Sequence, residues 1–192
     1  GDECRHVAAH AGMLELTGFS RFHVTGTDAD DWLKAQITGN FPRVGCIGLV
    51  YFASPKGKVL SEMTMTRFAE NDFLLMTGAG AYWHDRDLLN SSLPANASIS
   101  IADVTRDLAT LLVTGPKAPA ILEAVTGQST ADEEFPWLSH QTVQISDCEV
   151  TAIRVSFAGE AGFEIHCKMN NVVTIFDSVM EAGKKHQLRL FG

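Results

Sequence analysis

An internal repeat constrains the fold of this chain more than any other feature of its sequence. Val24-Thr25-Gly26 recurs 89 residues later as Val113-Thr114-Gly115, and Phe68-Ala69 recurs at the same spacing as Phe157-Ala158. Val-Thr-Gly is a common tripeptide, so a chance match is the alternative interpretation. Chance does not explain why the spacing recurs with matching flanking patterns, and we therefore favour a duplicated structural unit.

Each copy begins with a strand, a turn and a helix. Residues spaced i, i+3, i+4 and i+7 lie on one helix face directly after both Val-Thr-Gly segments. They are Ala29, Trp32, Leu33 and Gln36 in the first copy and Ala118, Ile121, Leu122 and Val125 in the second. Thr27 or Asp28 is suited to cap the first helix, and Pro116 fits the first turn of the second.

Short apolar or alternating runs after each first helix predict antiparallel strands. They are Ile47–Ala53, Val59–Phe68 and Phe73–Thr77, and then Thr142–Ile145, Glu149–Phe157 and Phe163–Cys167. A closing helix is predicted at about Ala81–Leu89 in the first copy and up to Gly183 in the second. We therefore predict an α+β fold, internally duplicated, with antiparallel sheets and flanking helices, whose copies span about 13–95 and 97–192.

Charge and apolar content exclude several kinds of partner. The 192-residue chain has 23 Asp and Glu residues against 15 Lys and Arg residues, which gives a net charge of −8. Such a chain repels a phosphate backbone on average, so nucleic acid is not an expected partner. No apolar run approaches the roughly 20 residues of a membrane helix, so no membrane partner is expected either.

The cysteines and histidines predict neither disulfides nor a metal site. The four cysteines are far apart and form no C-x-x-C pair, which is typical of reduced thiols and predicts a cytoplasmic location. His6 and His10 are four residues apart, but Val7-Ala8-Ala9 between them lacks the glutamate of an H-E-x-x-H motif. Because the sequence begins without Met, we expect it to be a piece of a longer protein.

Glu62 is the first candidate functional residue. Alternation along the predicted strand places it on the same face as Leu60, Thr64 and Phe68. A carboxylate among such neighbours is expected to be partly desolvated, which favours general acid or base chemistry. The alternative, which the sequence alone favours, is a solvated glutamate on a half-exposed sheet face.

Glu160 is the second candidate, in a predicted hairpin turn. Glycines such as Gly159 let the backbone approach a flat ligand closely, and Phe157 offers an aromatic stacking surface. A carboxylate in this turn can accept two N–H donors from a heteroaromatic ring. The alternative is a turn glutamate that points into water.

Other motif-like strings carry less weight. Gly78-Ala79-Gly80 begins a G-x-G pattern, but Trp83 occupies the place of the third glycine, which argues against a dinucleotide site. His84-Asp85 at the start of a helix is more typical of a local hydrogen-bonded pair than of a catalytic one.

Several segments, taken in order, resemble the glycine-cleavage T-protein (aminomethyltransferase) family, most closely the branch fused to dimethylglycine and sarcosine dehydrogenases. The resemblance runs from about Gly12 to Gly192 and rests on Phe22–Gly26, Gly57–Thr64, Phe73–Ala79, Asp103–Thr105, Val113–Pro116 and Phe157–Glu164. It implies a duplicated α+β fold that binds tetrahydrofolate and receives a one-carbon unit, as methylene, from an aminomethyl or iminium group of a small-molecule amine donor.

The resemblance also implies roles for individual residues. Glu62 falls on the position of the family's catalytic aspartate, and Glu160 on that of the residue that holds the pteridine edge. Phe157 replaces a tyrosine found in many members, and Lys58 replaces the second glycine of a Gly-Gly pair. The resemblance further implies folate contacts at Met63, Thr77 and Gly78, and at Gly159, which directly precedes Glu160.

The resemblance implies further modules outside this chain, namely a C-terminal barrel and, in the dehydrogenase branch, an upstream flavin module that would carry FAD. Two alternatives to a transferase stay open: a non-catalytic binding or assembly module of the same fold, and an unrelated α+β binding domain. Since the two candidate carboxylates lie in the second halves of their copies, we predict that Glu62 and Glu160 line one shared cleft.

Overall fold

The computed structural model describes residues 1–156 and 159–192. Within these residues the chain forms two compact units. Unit one comprises Gly1–Thr17 and Asp107–Gly192, and unit two comprises Gly18–Arg106. Over the same residues, no helix combines the length and the apolar character that crossing a bilayer requires.

The regular elements alternate between short helices and strands. The α-helices are α1 (Asp2–Ala9), α2 (Ala29–Gln36), α3 (Tyr82–Ser91), α4 (Ala118–Thr126) and α5 (Val172–Gly183). The strands are β1 (Ala11–Glu15), β2 (Ser20–Thr25), β3 (Ile37–Thr38), β4 (Ile47–Ala53), β5 (Val59–Ala69), β6 (Asp72–Thr77), β7 (Ser100–Asp103), β8 (Leu108–Thr114), β9 (His140–Ile145), β10 (Cys148–Arg154), β11 (Gly162–Lys168) and β12 (Leu188–Leu190).

Unit two is an antiparallel sheet with two helices on one face. Its strand order is β3-β4-β5-β6-β2-β7. Every second side chain along the strands points toward the helices. These buried side chains form a core with Trp32 and Leu33 of α2 and Leu89 of α3. The strands contribute Phe22, Val24, Val50, Phe52, Met63, Met65, Phe73 and Leu75.

Unit one also has a six-stranded sheet and repeats this arrangement in four of its strands, with β1 lying between β8 and the edge strand β12. The order is β12-β1-β8-β11-β10-β9, and its neighbouring strands are antiparallel except for β1 and β12, which are parallel. Helices α4 and α5 supply Ile121, Leu122, Ile175 and Val179 to the core of this unit. The order β9-β10-β11-β8 matches β4-β5-β6-β2 in unit two, which confirms the predicted duplicated α+β fold.

The unit boundaries differ from the predicted copies at 13–95 and 97–192. Strand β1 pairs with β8 and β12, so the N-terminal segment belongs to unit one together with the C-terminal half of the chain. Strand β7 pairs with β2 and belongs to unit two, although it lies beyond residue 95. Both differences arise because these short strands pair with strands that are distant in sequence.

The repeated Val-Thr-Gly segments form the same turn in both units. Gly26 has φ +127° and Gly115 has φ +110°, a conformation that side-chain-bearing residues rarely adopt. The Gly26 carbonyl accepts a hydrogen bond from the Ala29 N–H, and the Gly115 carbonyl accepts one from the Ala118 N–H, both at 2.9 Å. A Cβ atom on Gly26 would lie 2.0 Å from the Ser98 carbonyl oxygen, so the turn also needs glycine for space.

We expect Gly26→Ala to lower the free energy of unfolding by about 2 kcal/mol or more, because it combines a strained φ with a clash against fixed backbone. Denaturant unfolding, compared at constant slope, measures the change. Gly80→Ala is the matched control, since nothing lies within 4 Å of its Cβ position. Equal unfolding midpoints for the two variants would contradict the role assigned to the turn.

Candidate functional site

Glu62 lies in the middle of β5 on the side of the sheet that faces away from the core of unit two. Its neighbours Ser61 and Met63 are buried, whereas Glu62 itself is exposed and Leu60 is 43% exposed. The predicted alternation is therefore correct, and of the two interpretations of Glu62 the solvated one, which the sequence favoured, agrees with its exposure, whereas the partly desolvated one does not. No helix of unit two packs on this face, so the solvated alternative describes the carboxylate.

Tyr51 is the direct partner of Glu62. The two residues are opposite each other in the antiparallel pair of β4 and β5, so their side chains lie on the same face of the sheet. Partial burial, hydrogen bonding with Glu62 and the negative charge of Glu62 together raise the pKa of the Tyr51 phenol above its ordinary value of 10.0. The pair therefore presents a carboxylate and a neutral phenol side by side.

Apolar side chains accompany this polar pair. Leu49 shares the face of Tyr51 by alternation along β4 and is 47% exposed. Leu60 lies two residues before Glu62 on β5 and shares the face of the carboxylate. A surface that combines exposed leucines with a carboxylate acceptor suits a flat ligand that carries N–H donors.

The side chains of Met63 and Thr77 are not available to a ligand in this structure. Met63 is 1% exposed and packs in the core of unit two. Thr77 is buried, and its hydroxyl donates to Asp85 Oδ2 at 2.7 Å. Gly78 is exposed, with φ −63° and nothing within 4 Å of its Cβ position, so the protein itself does not require glycine there.

Asp85 ties the end of β6 to the first turn of α3. It is fully buried, and its second carboxylate oxygen lies 2.9 Å from His84 Nδ1. This contact confirms the predicted local pair of His84 and Asp85. A carboxylate in the first turn of a helix also interacts favourably with the positive end of the helix dipole.

The turn between β10 and β11 carries the second candidate carboxylate. Phe157 lies outside the described residues. Gly159 has φ +85° and its N–H donates to Ser156 Oγ at 2.9 Å. Glu160 is half-buried. Glu160 belongs to unit one and Glu62 to unit two, so the shared cleft stays a prediction.

A buried polar group on β8 and β11 was missed by the sequence analysis. Glu164 Oε2 lies 2.8 Å from His166 Nε2, and His166 Nδ1 lies 3.2 Å from Thr110 Oγ1. Glu164 and His166 are 1% and 5% exposed. The sequence signal is the alternation in Phe163–Cys167, where polar residues occupy every second position of a strand. Such a pair is costly to break once it is buried.

No group of three or more His, Cys, Asp or Glu residues within 1–156 and 159–192 is arranged to hold a metal ion.

The contact between Tyr51 and Glu62 predicts a measurable change in phenol ionisation. Glu62→Gln removes the negative charge that disfavours the phenolate, so we expect the pKa of Tyr51 to fall toward 10.0 without reaching it, because partial burial persists. A pH titration of phenolate absorbance measures it, with the Tyr51 signal isolated by subtracting the curve of Tyr51→Phe.

Glu149→Gln is the control for this titration, because it removes the same charge from an exposed position in unit one. A Tyr51 pKa that responds equally to both substitutions, or to neither, would contradict the contact.

Comparison with known proteins shows the family of this chain. The family model described as the GCVT N-terminal domain matches residues 1–192. The chain is 30% identical to dimethylglycine dehydrogenase from Rattus norvegicus, over all of this chain and 22% of that protein. It is 25% identical to aminomethyltransferase from Bacillus licheniformis, over 95% of this chain and 50% of that protein. The chain thus spans between about a fifth and a half of the length of these relatives.

A solved structure supports the fold. Glycine cleavage system aminomethyltransferase T from Bartonella henselae superimposes with a TM-score of 0.84 at 22% identity, over all of this chain and 50% of that protein. The alpha subunit of sarcosine oxidase from Corynebacterium is 27% identical over 99% of this chain and 20% of its own length. On the match that spans residues 1–192, this chain belongs to the GCVT N-terminal domain family.

Proposed function

We propose that this chain is the tetrahydrofolate-binding part of a one-carbon transferase. The observation that carries the proposal is the pair of exposed Glu62 and half-buried Tyr51 on a sheet face that also bears Leu49 and Leu60. This face offers the combination of apolar contact and polar acceptor that a reduced heteroaromatic ligand requires. The aminomethyltransferase relative supports the reaction class.

The described residues fit a folate in two places. The leucine surface beside Glu62 suits contact with a ring, and the half-buried Glu160 offers a carboxylate for ring N–H groups. Gly159, with its positive φ and open surroundings, lets a flat group approach the turn before Glu160. Tetrahydrofolate, when bound, supplies the nitrogen atoms that accept the methylene unit. Folate contacts by Phe157 and Gly78 stay part of the proposal.

Glu62 would act on the amine donor. Its carboxylate accepts a hydrogen bond from an amine N–H group or stabilises a positively charged iminium group next to it. Tyr51 lies opposite Glu62 on the same sheet face and offers a phenol hydroxyl as a hydrogen-bond donor to this carboxylate.

A non-catalytic binding module is the second candidate function. It is favoured by the glutamate at position 62, which places the carboxylate about one methylene further from the strand than the aspartate implied by the resemblance. Exposed Lys58 next to this strand adds a bulky charge. The transferase requires folate binding and transfer of a one-carbon unit to the folate, whereas the non-catalytic binding or assembly module requires no such transfer.

We extend the proposal to the protein of which this chain is a part. Relatives named dimethylglycine dehydrogenase and sarcosine dehydrogenase are several times longer than this chain. This length supports additional modules, among them an upstream module that would hold FAD and oxidise an N-methylated amine. The cytoplasmic location stays a prediction, and two of these relatives carry the word mitochondrial in their names.

We expect Glu62→Gln in the full-length protein to lower the rate of methylene transfer to tetrahydrofolate by about 100-fold or more, because it removes the acid or base and the negative charge. Glu62→Asp is expected to keep the rate within about 10-fold. Dimethylglycine, sarcosine and glycine are tested as sources of the one-carbon unit, and folate affinity is measured in parallel by calorimetry.

Glu160→Ala is expected to weaken tetrahydrofolate binding by about 10-fold or more, the loss of one hydrogen bond to a charged group. Glu149→Gln is the control for both substitutions. Folate binding without transfer in the unsubstituted protein would select the non-catalytic module, and the absence of folate binding would reject the transferase.

A further inference from the structure

A cavity of about 620 Å³ lies in unit two, apart from the residues assigned above to folate. It is formed where the start of β2, the first turn of α3 and the segment after β7 meet. Its size falls within the usual range of small-molecule sites. The side chains that matter for its chemistry belong to Tyr82, Trp83, Asp103, Thr105 and Arg106.

One wall of the cavity is an exposed indole that is held in place. Trp83 is 67% exposed, which is unusual for so large an apolar side chain. Its ring contacts Tyr82 edge to face at a centroid distance of 4.9 Å, and the Arg86 guanidinium lies 4.9 Å from the ring centroid. These two contacts fix the indole while leaving most of its surface open for stacking with a ligand ring.

Other lining residues form a hydrogen-bonded polar network. The Tyr82 hydroxyl donates to Asp103 Oδ2 at 2.5 Å, and the Thr105 N–H donates to Asp103 Oδ1 at 3.0 Å. Partial burial raises the pKa of Asp103, but the hydrogen bonds from Tyr82 and Thr105 outweigh it and hold that pKa below the ordinary 3.8. Each oxygen of this ionised carboxylate already accepts a hydrogen bond from the cavity wall.

Arg106 carries a positive charge and takes no part in the hydrogen bonds among Tyr82, Asp103 and Thr105. Its side chain is exposed on the cavity wall and forms no ion pair with any residue in 1–156 or 159–192. A guanidinium presents a planar fork of N–H donors that matches a carboxylate with two parallel hydrogen bonds. The cavity therefore combines a stacking surface with an available anion-binding group.

We propose that this cavity binds a small planar aromatic carboxylate, with its ring on Trp83 and its carboxylate on Arg106. The ionised Asp103 repels a second negative group, so the site selects ligands with one carboxylate. This site does not depend on the proposed folate function, because Glu62 and Glu160 do not line it.

The test is calorimetric titration of the full-length protein with 2-naphthoate, and with the neutral 2-naphthalenemethanol as the ligand control. We expect the carboxylate to bind and the alcohol to bind at least about 10-fold more weakly, the effect of losing one charge-assisted contact. Arg106→Gln is expected to abolish this preference, and Arg106→Lys to retain part of it. Trp83→Ala is expected to weaken both ligands, and Trp83→Phe to restore stacking.

The matched control substitutions are Trp137→Ala and Arg189→Gln, which change an exposed tryptophan and an exposed arginine of unit one. Circular dichroism verifies that each variant is folded. Absence of naphthoate binding, equal affinity for the alcohol, or equal effects of the cavity and control substitutions would overturn the proposal.

Discussion

Each unit depends on the pairing between its first long strand and the strand that precedes its closing helix. In unit two β2 pairs with β6, from Ser20 opposite Thr77 to Thr25 opposite Asp72. In unit one β8 pairs with β11 in the same antiparallel sense. These pairings join strands that are about fifty residues apart in sequence. They complete each sheet and place both helices of a unit on one face of its sheet.

The functional proposals follow from what this pairing leaves uncovered. Because the helices of unit two occupy one face of its sheet, Glu62 and Tyr51 point to the other face, where no helix of that unit covers them. The same pairing brings the end of β6 beside the start of β2, and α3 begins there with Tyr82 and Trp83. The carboxylate site and the aromatic cavity are therefore both products of one sheet.

The sequence predicted elements whose signal is local and missed those whose partners are distant. Ile47–Ala53 was predicted with its observed bounds because alternation and flanking turn residues define it. The strands β1, β7 and β12 are three to five residues long and are held by long-range pairing, which no local pattern reveals. Their pairing moved the unit boundaries to Gly18 and Arg106.

The candidate site shows the same contrast between local signals, which the sequence reveals, and contacts with distant segments, which it does not. Alternation gave the correct face for Glu62, but periodicity does not reveal whether another element covers that face, so the sequence left both a desolvated and a solvated carboxylate open and only favoured the solvated one that is observed. Met63 is the next residue on the strand, so alternation already directs it to the core, whereas the resemblance assigned it to the ligand. The pairing of Tyr51 with Glu62 depends on a register shift between Phe52 and Ala53 that has no sequence signature.

We infer that the face of Glu62 and the turn of Glu160 each take part in binding tetrahydrofolate. Hydrogen exchange of the full-length protein, measured by mass spectrometry with and without tetrahydrofolate, tests this inference because it reports on both segments in one experiment. Slower exchange is expected in Val59–Ala69 and in the turn that contains Gly159 and Glu160. Unchanged exchange in both segments, or slowing confined to the cavity of Trp83 and Arg106, would overturn the inference.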